Sequence, residues 1–269
     1  PVKHRRFREE VLSALRALEQ EDPTQVLKAR LMAADLQPRT LADFDRMVAA
    51  AEASGRRLFP FQNNRPQPFF EKMQEVIASG VLGRIVHIRS SWGGFARRWD
   101  WQTWQHYNGG SLFNTGPHAI DQALCLFGFD KQPEVFCRMA CNNPFGADAE
   151  DHCTVTLYDS ERQRPQIDVA ISAYQSFGQT DRYWVNGTHG GLRGGETALQ
   201  WRYFDPATAP HHELWRWSVD RQYPREELEW VEESWSLDEA QLAGASGYTL
   251  RSLASGHDRI YLNIHDVLT

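Results

Sequence analysis

Past residue 130 the hydrophobic pattern of this chain changes period. Upstream, apolar residues recur every three or four positions, as on one face of a helix. Downstream, they alternate in short runs, as on half-buried strands. The spacing predicts strands at 135–139, 153–158, 167–173, 182–186 and 199–204. Turn-rich stretches separate them, notably Gly187-Thr188-His189-Gly190-Gly191. Successive strands without helices between them pair antiparallel, and their apolar face needs a cover. The helices upstream can supply it. The expected fold is α+β: one large, mostly antiparallel open sheet with helices on one face.

Several upstream helices are legible. Phe7, Val11, Leu15 and Leu18 form a stripe over 7–20, and Asp22-Pro23 breaks it. Val26, Leu27 and Leu31 suggest a short second helix. Thr40 is a good cap for a helix carrying Leu41, Phe44, Met47, Val48 and Ala51. Arg57-Leu58-Phe59-Pro60-Phe61 reads as a short buried strand. Pro66 and Pro68 open a helix with Phe69, Met73, Val76 and Ile77 on one face, and Gly80 closes it. Val86 and Ile88 alternate within a strand over 84–92. Residues 93–110 are aromatic, basic and loop-like, and 115–127 is helical up to Gly128. The stretch from Asp205 to Trp235 shows few clear periods, and 238–254 is a last helix candidate. The expected domains are a helical segment, 1–60, and a sheet domain, 61–269.

Composition removes several function classes. Lys and Arg total 29 against 35 Asp and Glu, a net charge of −6, which argues against a nucleic-acid partner. No apolar run approaches the roughly 18–20 residues of a membrane span, and the basic start lacks the apolar core of a secretory signal. A cytoplasmic location is the expectation. Cys125, Cys137, Cys141 and Cys153 lack metal-clip spacing and read as buried free thiols. No metal site is expected: His211-His212 has no further ligands in view.

The chemistry-bearing segment is Asn108-Gly109-Gly110-Ser111-Leu112-Phe113-Asn114-Thr115-Gly116-Pro117-His118-Ala119-Ile120-Asp121. Its glycines permit close backbone approach ahead of a helix. Asn114 and His118 are four apart and face one side if the path is helical. A His in a first helical turn is disfavoured as a cation, so its neutral ring can accept a proton. Asn114 can hold a hydroxyl through its amide. Asp121 can orient the ring or cap the turn. A plain helix cap at Asn114 and a structural His118 are the competing readings. Arg97, Arg98, Trp99, Trp104 and His106 lie just upstream as a candidate substrate wall, with Arg65 a further candidate.

Three segments together resemble the glucose-fructose oxidoreductase / inositol dehydrogenase (Gfo/Idh/MocA) family. They are Phe61-Gln62-Asn63-Asn64-Arg65 with the helix to Gly80 and Val81-Leu82-Gly83-Arg84-Ile85; the Gly109–Asp121 motif; and Val185-Asn186-Gly187-Thr188-His189-Gly190-Gly191-Leu192. The resemblance implies hydride transfer between NAD or NADP and a sugar, cyclitol or sugar derivative. It places His118 at the acid/base position, Asn114 where many members have Asp, and Asp121 at the end of the motif. It also implies a homodimer or homotetramer formed through the sheet. Tyr174, Trp184, Trp201 and Tyr203 are the aromatic residues expected on the face used.

The sequence departs from the family pattern in two places. No G-x-G-x-x-G follows a strand, so the dinucleotide-binding domain is expected to be absent or severely truncated. Leu36-Gln37-Pro38 stands where a Glu-Lys-Pro motif is expected, so no catalytic lysine is assigned. Three readings are open: a fragment, a shifted start, or a standalone sheet domain serving carbohydrate binding or assembly without catalysis. A metal-dependent isomerase or lyase using His118 and Asp121 is a weaker alternative.

Overall fold

The computed structural model describes residues 40–56, 58, 62–177, 181–216, 221 and 223–237. The predicted helices over 7–20, 26–31 and 238–254 lie outside these residues, as does most of the strand proposed at 57–61. The chain divides into two compact units, 1–60 and 61–269. In the first, helix α1 spans Leu41–Ala53. Thr40 caps it: its hydroxyl accepts from Asp43 N, and the Asp43 carboxylate accepts from Thr40 N. Both amides thereby gain a side-chain acceptor at the helix start.

Among the described residues, the second unit is an eight-stranded sheet covered by two long helices. Its elements are α2 (Pro68–Ala78), β1 (Ile85–Gly93), α3 (Ser111–Asn114), α4 (Gly116–Phe127), β2 (Glu134–Ala140), β3 (His152–Tyr158), β4 (Gln166–Ser172), β5 (Tyr183–Gly187), β6 (Gly190–Gly194), β7 (Ala198–Phe204) and β8 (Trp230–Ser236). Two 3-10 turns, Trp101–Thr103 and Gln105–Tyr107, lie in the loop after β1. The strand order is β2-β3-β4-β1-β5-β6-β7-β8. Only the pairing of β1 with β4 is parallel, and the others are antiparallel.

The core lies between the helices and one face of the sheet. Phe69, Phe70, Met73 and Val76 of α2, and Ala119, Ala123 and Phe127 of α4, join one apolar cluster with alternate strand residues. Those include Ile88 and Trp92 of β1, Val155 and Leu157 of β3, Ile167, Val169 and Ile171 of β4, and Tyr183 and Val185 of β5. The opposite face carries His87, Arg89, Thr156, Asp168 and Trp184, bonded or stacked among themselves. The alternation at the heart of the sheet is thus apolar on one face and polar on the other.

Two strands differ from expectation. Residues 190–191 read as turn, yet they begin β6, which pairs with both β5 and β7. Here glycine is needed for close approach: a Cβ on Gly190 would sit 2.1 Å from the Arg202 carbonyl oxygen. A strand that must be built from glycines shows no alternation in sequence. Strand β8 lies within the stretch that showed few periods; as an edge strand it exposes Glu232 and Glu233, while Trp235 packs against the core.

Three further expectations are corrected. Trp201 and Tyr203 belong to the helix-covered face, and Tyr174 makes an isolated bridge to Phe95 outside the strands; of the four aromatics, only Trp184 lies on the open face. Cys137 and Cys141 are exposed rather than buried. Cys137 Sγ lies 3.6 Å from the buried Cys153 Sγ. Burial and that neighbouring sulfur push the Cys153 thiol up to about 12.

Candidate functional site

The parallel pair fixes where a site can form. Because β1 and β4 run the same way, their carboxyl ends, Gly93 and Ser172, lie side by side. The chain leaving β1 folds through the two 3-10 turns and enters α3 at Gly110. A cavity of about 180 Å³ opens there, with Gly93, Ser172, Gln102, Ser111, Asn114 and Glu150 among its lining residues.

Glu150 organises the entry to α3. Its Oε1 accepts from Leu112 N at 2.8 Å, and its backbone carbonyl accepts from Ser111 N at 2.9 Å. Gly110 has φ +108, and a Cβ there would stand 2.2 Å from Glu150 Oε1. The carboxylate therefore occupies the space beside the glycine turn and satisfies amides at the start of the short helix. Asp151, next in sequence, accepts from Asn142 N and Nδ2 at Oδ1 and from the Tyr174 hydroxyl at Oδ2, each at 2.8–2.9 Å. Burial and the Asp151 bond push the Tyr174 phenol up to about 12. These carboxylates were not singled out from sequence. The adjacent acidic pair Glu150-Asp151 just ahead of β3 was the signal available.

Of the residues singled out in the sequence, Asn114 and Arg98 line this cavity. Asn114 Nδ2 lies 3.4 Å from Gln102 Oε1, a long contact. Arg98 donates to the Asp100 carboxylate at 3.1 Å, and its carbonyl accepts from Asn143 Nδ2. His118 is the third residue of α4, with Thr115 between α3 and α4. Asn114 and His118 thus sit on two successive helices rather than one continuous path, and His118 is half-buried.

Asp121 is held from the far side. Arg65 Nε donates to its Oδ2 at 2.8 Å and Arg65 Nη2 to its Oδ1 at 2.6 Å, a bidentate charge-assisted pair. The Asp121 hydrogen bond is the main cause that raises the Arg65 guanidinium above its ordinary value. Buried Gln122 repeats the tie, donating to Asn64 O and accepting from the Tyr183 hydroxyl. Asp121 and Gln122 therefore staple the 62–67 segment to α4. The aromatic wall residues are dispersed at the surface. Trp99 packs edge-on to Phe145, over which Arg97 also lies, and His106 stacks between Trp104 and Tyr107. His212 bonds Glu226, and no group of three or more potential metal ligands occurs among the described residues.

A second depression, about 830 Å³, spans β5 to β8 on the open face. Arg89 and Arg193 both lie over the Trp184 ring, and Arg202 over Trp230. No helix among the described residues is long and apolar enough to cross a membrane.

Comparison with known proteins centres on the same segment. Residues 70–193, which contain every residue of the cavity, match the family model described as the GFO/IDH/MocA C-terminal domain. An uncharacterized oxidoreductase of Schizosaccharomyces pombe is 25% identical over 243 residues, covering 85% of this chain and 62% of that protein. The uncharacterized oxidoreductase YdgJ of Escherichia coli is 29% identical over 154 residues, covering 56% of this chain and 42% of that protein. The chain thus spans less than two thirds of the length of either relative. An oxidoreductase from Agrobacterium radiobacter, solved in complex with NAD+, L-tartaric acid and magnesium, shares the fold at TM-score 0.56 and 18% identity, over 82% of this chain and 57% of that one. Motif, sheet and direct match agree that the family this segment resembles is GFO/IDH/MocA.

Proposed function

We propose that this chain supplies the substrate side of an NAD(P)-dependent oxidoreductase acting on a sugar, cyclitol or sugar derivative. The observation that carries the reading is the placement of Asn114: it lines a polar cavity at paired strand ends, four residues ahead of a histidine in the first turn of α4. Oxidation of a carbinol removes a hydride from carbon and a proton from oxygen. His118 takes that proton and returns it in the reverse direction. Asn114 holds the hydroxyl. Asp121 acts at one remove, because its pairing with Arg65 fixes the helix that carries His118. The oxidoreductase names of the relatives support the class, and the NAD+ in the Agrobacterium structure supports the cofactor.

A nicotinamide cofactor supplies the hydride acceptor when bound. The described residues do not fit its pyrophosphate. The glycine pair Gly109-Gly110 leads into a helix of four residues, and Glu150 already takes the amides of Ser111 and Leu112 there. A second anionic group such as a pyrophosphate would be repelled by the Glu150 carboxylate rather than cradled at that turn. The role assigned to this chain is therefore proton handling and substrate placement. Self-association through the open sheet face is part of the same reading, and light scattering at micromolar concentration should show a dimer or larger.

The test is turnover by the protein carrying this chain, with a panel of sugars and cyclitols and both NAD+ and NADP+. His118→Ala should lower kcat by at least ~100-fold. Full turnover by that variant would remove His118 from the chemistry. If the parent binds neither cofactor and turns over nothing, the remaining reading is a carbohydrate-binding or assembly domain, which the occupied glycine turn favours.

A further inference from the structure

We infer that Glu150 is a positioning residue for the proposed proton transfer: its carboxylate sets where α3 begins, and through that helix it sets where Asn114 meets the reacting hydroxyl. This role rests on the function proposed above and adds to it a residue outside the contiguous motif. Three observations lead to it.

The first is that α3 cannot hold its own place. It has four residues, Ser111–Asn114. A single turn fixes several backbone dihedrals for very few internal hydrogen bonds, so a helix this short persists only when outside groups bond its free amides. The amides of Gly110, Ser111 and Leu112 are taken in this way. Gly110 N donates to the Gln102 carbonyl at 2.8 Å, Ser111 N to the Glu150 carbonyl at 2.9 Å, and Leu112 N to Glu150 Oε1 at 2.8 Å. Two of these three acceptors belong to Glu150, and its carboxylate makes the charge-assisted bond. The Asn114 side chain is held more weakly, since its contact with Gln102 Oε1 is long at 3.4 Å.

The second is that Glu150 is itself anchored. Ala149, just before it, is buried, and its amide donates to the Thr103 carbonyl at 3.0 Å. Asp151, just after it, donates from its amide to the Ala140 carbonyl at 3.1 Å and accepts at its own carbonyl from Ala173 N at 2.8 Å. The segment therefore moves with the sheet, and the carboxylate passes the position of the sheet to α3.

The third is steric. A Cβ on Gly110 would stand 2.2 Å from Glu150 Oε1 and 2.4 Å from Oε2, so both carboxylate oxygens lie against the glycine. The glycine ahead of α3 leaves the room that this carboxylate fills. Leu112 packs against the apolar core, so α3 stays attached to the sheet without the carboxylate. Placement, rather than folding, is what the loss of Glu150 should change.

The experiment uses the protein carrying this chain, with an alcohol that it oxidises, and compares three substitutions at one position. Glu150→Gln keeps an oxygen for Leu112 N and loses the charge. Glu150→Asp keeps the charge and draws the acceptor back by about one bond, ~1.5 Å. Glu150→Ala loses both. A misplacement of about 1 Å can cost ~100-fold, so Glu150→Ala and Glu150→Asp should each lower kcat by ~10- to 100-fold, while Glu150→Gln stays within about threefold of the parent. In an Asn114→Ala background, Glu150→Ala should add less than about twofold, because a residue that acts through Asn114 has nothing left to place. Amide exchange over 111–114 should quicken in Glu150→Ala far more than exchange in β1 and β4, which separates a local loss of placement from a general loss of stability.

A parent-like kcat in both Glu150→Ala and Glu150→Asp overturns the inference and leaves the oxidoreductase reading standing. So does retained activity in Glu150→Asp with loss in Glu150→Gln, which would make the charge, not the placed acceptor, the feature that counts. Equal losses from Glu150→Ala with and without Asn114 also overturn it. If Glu150→Ala does not fold, the Gln and Asp variants decide the matter between them. If the parent oxidises no alcohol and binds no cofactor, the positioning role and the oxidoreductase reading fall together.

Discussion

The two faces of the sheet are built from the same strands yet do different work. On the covered face, Ile88, Val169, Ile171, Tyr183 and Val185 are within 2% of full burial and pack on α2 and α4. On the open face, the residues between them in sequence are polar and partly exposed, and they pair laterally: His87 with Asp168, Thr156 with Asp168, Arg89 and Arg193 with Trp184. Period-two alternation makes both from one sequence. The difference teaches where stability resides and where binding is possible. Apolar burial stabilises by roughly 1.5–3 kcal/mol per large side chain, whereas exposed ion pairs contribute about 0–1 kcal/mol. Substitutions on the two faces should therefore separate cleanly.

The largest effect is expected at Phe69, fully buried between Phe70 and Tyr183. Phe69→Ala should cost about 3–5 kcal/mol, read as a lower denaturant midpoint by circular dichroism. A cost under about 1 kcal/mol would mean that α2 is not part of the folding core.

Tyr183→Phe tests a polar contact within that same face. It removes the hydroxyl that donates to Gln122 Oε1 at 2.7 Å and leaves a buried acceptor unmatched. The expected cost is about 1–3 kcal/mol. Gln122 also donates to Asn64 O, so the variant should loosen the 62–67 segment, seen as faster amide exchange there.

The smallest effect belongs to the open face and depends on pH. Burial alone would raise the Asp168 carboxyl, but hydrogen bonds from His87, Thr156 and Gln166 bring it below its ordinary value. A depressed folded value means the stability is present above about pH 4, the unfolded carboxyl value, and is lost as pH falls through the folded one. Urea midpoints from about pH 6 down to about pH 2 should show this loss, and Asp168→Asn should flatten part of it. An identical acid profile in the variant would show that the open-face network adds nothing to stability.

Much of the fold is local and was legible. Thr40 as a cap, Pro68 at a helix start, Gly128 at a helix end and the alternation of β3 and β4 each depend on neighbours within a few residues. The candidate site was legible only along the chain. The motif that carries Asn114 and His118 is contiguous, whereas Glu150 and Asp151 reach the cavity from a segment 36 residues after Asn114, and Arg65 meets Asp121 from 56 residues before it. No short window contains those pairs.

By itself the sequence determined the order and type of most elements, because side-chain period and capping chemistry act over one or two turns. Its net charge of −6 argued against a nucleic-acid partner, and no helix among the described residues is long and apolar enough to cross a membrane. Tertiary structure decided the rest. It made a strand of Gly190–Gly194, because close backbone approach on both sides rewards glycine where alternation is absent. It put Trp201 in the core and left Trp184 in the open, because register, not residue type, sets the face. It created the cavity by laying β1 parallel to β4, a pairing about 80 residues apart that no local rule specifies.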